Sequence, residues 1–155
     1  MKAKTIYDDI FEKQCSVCGK VIRKDVYDQG ECPYCKWKNN YFADINPNNV
    51  IHPNLISLNK AKRLFNEGKP FEPNLDEFVE AMHGYGEMQF EYNGIYYAVE
   101  LIYDENKILK IRFYNSQTKE SILFDDDTDF KNNAKIGDEY LKDVWEQTTD
   151  RYWLQ

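Results

Sequence analysis

Two Cys-x-x-Cys pairs constrain this chain more than any other feature of its 155 residues. Cys15-Ser16-Val17-Cys18 runs into Gly19, and Cys32-Pro33-Tyr34-Cys35 follows after the thirteen residues 19–31. Two residues between thiols let each pair close a tight knuckle on one ion, and an interval of this length runs out as a hairpin and returns. Four thiolates complete the tetrahedron that zinc prefers, at about 2.3 Å each, and leave no position for water or substrate. The expectation is therefore a structural zinc held by Cys15, Cys18, Cys32 and Cys35. Gly19 supplies the positive φ that follows the first pair, and Pro33 stiffens the turn of the second.

Two other uses of these cysteines need features that the sequence does not offer. Disulfides need an oxidising compartment, but the opening Met-Lys-Ala-Lys-Thr-Ile-Tyr-Asp-Asp has no apolar run of the secretory kind, and no stretch could span a membrane. A cytoplasmic chain with reduced thiols is expected. A redox Cys-x-x-Cys stands alone at the start of a helix after a buried strand, whereas here two pairs sit in a polar, strand-poor region.

Charge is distributed unevenly. The whole chain carries −7, but residues 1–74 hold 12 Lys+Arg against 9 Asp+Glu, net +3, and residues 75–155 hold 8 against 18, net −10. An acidic module repels phosphate backbones and attracts basic partners by long-range steering. The +3 of the first part falls to about +1 once four thiolates and one divalent ion are counted, which weighs against nucleic-acid binding. Aromatic residues make up 15 % of the chain, enough to bury a core, and the length suits one ordinary domain, or two small ones if a metal replaces part of a hydrophobic core.

Along the chain, Ile6, Tyr7, Ile10 and Phe11 are spaced as a short helix face or a strand leading into the first knuckle. Val21 to Tyr27, followed by Asp28-Gln29-Gly30, reads as a strand and turn that bring Cys32 back toward Cys15. Residues 36–56 read as an irregular loop pinned by aromatic side chains, with Trp37 against the metal site. Ser57 caps a predicted helix with Leu58, Ala61, Leu64 and Phe65 on one face and Lys60, Lys62 and Arg63 on the other, ending before Gly68. A Pro-marked connector leads to a second helix, capped by Asn74 or Asp76, that carries Leu75, Phe78, Val79 and Met82.

Beyond it the turn chemistry predicts an antiparallel meander of four strands. Glu87–Tyr92 alternates apolar and polar, Asn93-Gly94 is a strong hairpin signal, and Ile95 to Tyr103 follows, apolar on both faces and so expected to be central. Ile108 to Tyr114 and Glu120 to Phe124 complete it, and Asp138 is expected to cap a last helix with Leu141, Val144 and Trp145. The fold class expected is α+β, with residues 1–70 as a four-cysteine zinc ribbon plus its following helix and 71–155 as an acidic α+β domain.

Little else carries chemistry. The run Asp125 to Asp129 lacks the glycine and the glutamate that a calcium loop needs at its sixth and twelfth positions, where Phe130 and Ile136 stand, so it reads as acids at a helix start. His52 and His83 belong to no nucleophile-base motif, and there is no phosphate loop or dinucleotide fingerprint. The chain reads as a non-enzyme. The expected partner surface comprises the polar sheet positions Gln89 and Glu91, the tyrosines Tyr92 and Tyr96, and Asp125, Asp126, Asp127 and Asp129.

Cys15-x-x-Cys18-Gly19, Glu31-Cys32-Pro33-Tyr34-Cys35-Lys36-Trp37 and Ile56-Ser57-Leu58-Asn59-Lys60-Ala61-Lys62 together resemble the bacterial cysteine-rich CPCC zinc-ribbon family over roughly residues 15–67, with Cys15-Ser16-Val17-Cys18 standing where that family has Cys-Pro-Cys-Cys. The second half, with Phe90-Glu91-Tyr92-Asn93-Gly94, Asn133-Ala134-Lys135-Ile136 and Leu141-Lys142-Asp143-Val144-Trp145, is similar to small cytoplasmic immunity-type proteins of bacterial toxin systems. Those resemblances imply a binding protein that occludes a basic partner, a toxin being the implied kind. The rival expectation is a nucleic-acid-associated regulator that uses the ribbon and the Lys60, Lys62, Arg63 face.

Overall fold

The computed structural model describes residues 12–24, 27 and 30–153, and the chain divides into two units, Met1–Phe71 and Glu72–Gln155. The stretch containing Ile6, Tyr7, Ile10 and Phe11 lies outside the described residues, as do Asp25, Val26, Asp28 and Gln29 of the expected hairpin.

In the first unit, β1 (Glu12–Gln14) pairs antiparallel with β2 (Val21–Arg23), Lys13 opposite Ile22, so the first knuckle is the connection of a small hairpin. Residues 36–56 match the aromatic-pinned loop expected only at Trp37, which is buried in one core with Cys15 and Cys32. They contain a short helix, α1 (Tyr41–Ile45), whose Tyr41 and Phe42 are 68 % and 64 % exposed. Asparagines share the pinning. Asn40 accepts from Ala43 N as the N-cap, and buried Asn54 bonds the backbone of Lys38 through both ends of its amide. The helix expected after Ser57 is α2 (Leu58–Asn66), with the Ser57 side chain accepting from Lys60 N at 3.2 Å. Leu58 and Ala61 face the core, while Phe65 stays exposed. That core gathers Cys15, Cys32, Trp37, Ile22, Ile56 and Leu58, with Phe71 edge-on to Trp37.

The second unit begins with α3 (Leu75–Tyr85), where Asn74 and Glu77 form a reciprocal capping box. Four strands follow, β3 (Glu87–Tyr92), β4 (Ile95–Tyr103), β5 (Leu109–Asn115) and β6 (Ser121–Phe124). The β3–β4 turn is Asn93-Gly94 with both residues at positive φ, the backbone that a two-residue hairpin needs. After β6 come α4 (Asp127–Asn133), a small hairpin of β7 (Lys135–Ile136) and β8 (Glu139–Tyr140), and α5 (Leu141–Val144) with a 3₁₀ turn.

Two expectations are corrected here. The sheet has five strands, in the order β6-β5-β4-β3-β9, because β9 (Thr149–Trp153) adds to β3. Its residues alternate too weakly to mark a strand, and its pairing partner lies some sixty positions earlier. Asp138 caps no helix: Gly137-Asp138 is the two-residue turn of the β7–β8 hairpin, and α5 starts at Leu141 without a side-chain cap.

β4 is the middle strand, as its two apolar faces suggested, but only one face of the sheet is covered. Met88, Phe90, Tyr97, Val99, Ile111, Phe113 and Phe124 are buried there. Phe78 of α3, Phe130 of α4 and Trp145 pack on them through aromatic edges with ring centroids 5.5–6.0 Å apart. Trp145 also donates from Nε1 to Pro73 O at 3.1 Å, which ties the end of the unit to its start. Glu87, Gln89, Glu91, Tyr96, Glu100, Arg112 and Tyr114 occupy the opposite face and stay partly in solvent.

Candidate metal centre and open sheet face

The two knuckles are built alike. In the first, Cys15 N donates to Lys20 O and Gly19 N to Cys15 O; in the second, Cys32 N donates to Trp37 O and Lys36 N to Cys32 O, all at 2.8–2.9 Å. The residue after each second cysteine takes the left-handed conformation, Gly19 at φ 71° and Lys36 at φ 70°. The sequence pointed to this for Gly19. It gave no sign of it for Lys36, because lysine does not favour that region.

The donor geometry passes a direct test of fit. Thiolates about 2.3 Å from a central ion sit about 3.8 Å apart along each tetrahedral edge. Cys15 Sγ and Cys35 Sγ are 3.6 Å apart, Cys18 Sγ and Cys32 Sγ 3.7 Å, and all four sulfurs lie within 4.8 Å of one another. The four cysteines are thus positioned to bind one metal ion, and each of these two contacts joins one knuckle to the other.

The surroundings favour thiolates unequally. Burial pushes the Cys18 and Cys35 thiols up. Burial also opposes ionisation of Cys15, but the backbone amide of Cys18, the side chain of Asn39 and the amide of Val17 outweigh it and bring Cys15 below the ordinary thiol value. Buried Asn39 is the residue that sequence reasoning missed. Its Nδ2 donates to Cys15 Sγ at 3.4 Å while its Oδ1 accepts from Ser16 N at 2.9 Å, the kind of support that orients a ligand from behind. Ser16 Oγ also donates to Asp44 Oδ1 at 2.6 Å, and Tyr27 OH donates to the other oxygen of Asp44. This network fastens α1 to the first knuckle. Burial, then the bond to Asp44, pushes the Tyr27 hydroxyl up to about 12, so it stays a neutral donor.

The residues expected to form a partner surface divide into three groups. Gln89, Glu91 and Tyr96 lie together on the open sheet face, Glu91 directly opposite Tyr96 and Gln89 bonded to the Tyr152 hydroxyl at 2.7 Å. Tyr92 does not join them. It is 7 % exposed, on the core face, with its hydroxyl donating to Glu139 at 3.1 Å, because an even step along β3 from Phe90 returns it to the buried side. The aspartates are occupied locally: Asp126 caps α4 by accepting from Asp129 N, Asp129 accepts from Asp125 N and Asn133, Asp125 holds Lys110, and Asp127 holds His83 Nε2 at 2.8 Å. The sequence reads these acids as complementing a helix dipole; Asp127 and Asp129 do lie in the first turn of α4, with Asp126 as its N-cap.

The open face also contains a charge cluster that the sequence did not announce. Glu87 stands directly opposite Glu100, and Glu100 opposite Arg112, whose guanidinium holds the Glu100 carboxylate. Burial and then the Glu100 charge push the Glu87 carboxyl above the usual carboxylate range. Around them is a depression of about 450 Å³ with Tyr96 and Tyr114 on its walls.

Among the described residues no helix is long and apolar enough to cross a membrane. No curated protein and no solved structure matches the chain. A family model described as Cysteine-rich CPCC matches residues 13–83, from β1 through all four cysteines and into α3. Over that region, which extends past the stretch whose motifs first suggested it, the chain is similar to the cysteine-rich CPCC family.

Proposed function

We propose that this is a non-catalytic binding protein of two parts, a ribbon held by structural zinc and an acidic α+β unit that docks on a basic partner protein in the manner of an immunity or antitoxin-like protein. The observation that carries the docking reading is the open face of the five-stranded sheet. Helices α3 and α4 pack on the other side, and the face offers Glu87 and Glu91, next to the Glu100–Arg112 pair, beside half-exposed Tyr96. A tyrosine among carboxylates is suited to lysine and arginine side chains, through the ring face and through ion pairs together. The ribbon's part is architectural. When bound, the metal cross-links the two knuckles, and Asn39, Ser16 and Asp44 fix the chain around them.

The test is binding kinetics against the partner isolated by cross-linking. Glu87→Lys combined with Glu91→Lys should slow association by about tenfold or more and leave dissociation nearly unchanged, since charges at the rim act on encounter. Added salt should slow the natural protein in the same way. An association rate indifferent to both charge reversal and salt overturns docking by charge. A gel shift that weakens steeply with salt, and that is lost in Lys62→Glu with Arg63→Glu, would instead favour phosphate recognition by α2.

A further inference from the structure

We propose that β6 is the docking edge, and that the basic partner adds an extended segment to it as a sixth strand, apolar at alternate positions and carrying Lys or Arg at its ends. This rests on the reading of the acidic unit as a protein-binding module and names how it binds. β6 is the last strand of the sheet, and no described residue pairs with its outer side. Its two central residues point to opposite faces, yet Ile122 is 55 % and Leu123 51 % exposed. Apolar residues on both faces are the pattern of an inner strand, not of an edge left in water.

The backbone is ready for such an addition. Asn115 N donates to Glu120 O at 2.9 Å, and the register carries that pattern to Ile122 and Phe124. By alternation Ser121 and Leu123 aim their N–H and C=O groups outward. Beneath Ile122 a groove of about 590 Å³, bordered by Tyr97, Phe113 and Ile136, leaves room for the inward side chains of an added strand.

The opposite edge is built differently. β9 slips register between Gln89 and Glu91, has Asp150 at φ 49° and carries Asp150 and Arg151, so a bulge and charges blunt it. β6 has no proline, lysine or bulge. Its protection lies at its ends, where Glu120 stands on one side and Asp125, Asp126 and Asp127 on the other; Lys110 and His83 pair with Asp125 and Asp127, which leaves Glu120 and Asp126 to carry the acidic excess. Those acids choose the occupant. A second copy would crowd all of them, from both chains, around a four-residue seam, while a strand with basic ends meets them with opposite charge.

The experiment follows amide hydrogen exchange by NMR on the full zinc-loaded chain, with a capped peptide of alternating valine and threonine between paired lysines as the probe. Near saturation it should slow exchange at Ser121 and Leu123 by about tenfold or more, since exchange then needs the peptide to leave. The same peptide with glutamate for lysine, or with N-methyl groups along its pairing edge, should leave both amides unchanged. Leu123→Pro, in which only an outward N–H is lost, and Leu123→Lys, which keeps the N–H but adds an edge charge, should each abolish the protection while retaining the melting temperature. The edge proposal is overturned if the lysine peptide leaves Ser121 and Leu123 unprotected at millimolar concentration, or if the glutamate peptide protects them equally. If the lysine peptide instead perturbs Glu87 and Glu91 with salt dependence, docking on the acidic unit stands and the edge proposal alone fails. A concentration-dependent dimer that disappears in Leu123→Pro also overturns it, by making the occupant a second copy.

Discussion

Asn39 touches two neighbouring groups of the first knuckle at once, the sulfur of Cys15 and the amide of Ser16, with its own side chain buried. Asn39→Ala should therefore weaken metal affinity by about 10–100-fold, read by competition with a chelator, while the saturated protein keeps its near-UV signal. Conformation matters as much as contact at the residue that follows each pair. A Cβ on Gly19 would meet nothing within 4 Å, so Gly19→Ala isolates the cost of left-handed backbone, about 1–2 kcal/mol in chemical or thermal denaturation, and Lys36→Gly at the matching position should not destabilise. On the sheet, Glu87 is held above the usual carboxylate range, which means that the fold resists its ionised form. The stabilisation by its protonated form is present at low pH and lost as pH rises through the shifted value. Glu87→Gln should then raise stability at pH 7 by about 0.2–1 kcal/mol, the size of a like-charge cross-strand pair, and the gain should vanish below the ordinary range of carboxylates. A gain that persists in acid would assign the effect to something other than the Glu87–Glu100 pair. Of these sites only Gly19 could be singled out from the sequence. Asn39 is one of several asparagines in its stretch, and Glu87 and Glu100 become neighbours only through strand register.

At the scale of elements, legibility followed the locality of the signal. Ser57 and Asn74 cap α2 and α3 because their short side chains reach an amide three residues ahead, an interaction wholly contained in the local sequence. Asn74→Ala should cost about 1 kcal/mol, with the loss confined to the thermal transition of the second unit. The β3–β4 hairpin was equally readable, since Asn93-Gly94 specifies its own turn. Gly137-Asp138 shows the limit of such rules: an aspartate ahead of an apolar helical pattern is also the second residue of a tight turn, and the β7–β8 pairing decides between them. Around Tyr41 and Phe42 the reading went wrong for a related reason. Aromatic side chains in an irregular stretch suggest anchors, but α1 turns both outward because Asn40, Ala43 and Asp44 take the inward and capping roles.

For the molecule as a whole, the two units should respond differently to metal removal. Structural zinc contributes an apparent ~10–16 kcal/mol in small fingers, and the first unit's core is built around Cys15 and Cys32 themselves, so chelation should unfold it. The second unit buries Phe78, Phe90, Phe113, Phe130 and Trp145, has no cluster of metal-ligating side chains among its described residues, and should keep its exchange-protected amides after the same treatment. One zinc per chain by elemental analysis and loss of protection limited to residues before Glu72 are the expected results; melting of both units together would contradict independent stability. The spacing of four cysteines was enough by itself to specify that they converge, because ligand chemistry dictates distance between sulfurs whatever the rest of the chain does. Binary patterning specified the strands from β3 to β6 and most of the helices, because those choices depend on near neighbours. What only the tertiary structure decided are the relations between distant segments. The addition of β9 to β3, the burial of Tyr92 beside an exposed Tyr96, the Glu87–Glu100–Arg112 row and the place of β6 at the end of the described sheet all arise from which strand lies beside which. Strand order is selected by the burial of one shared core rather than by any local run of residues, and so it leaves no signature in sequence spacing.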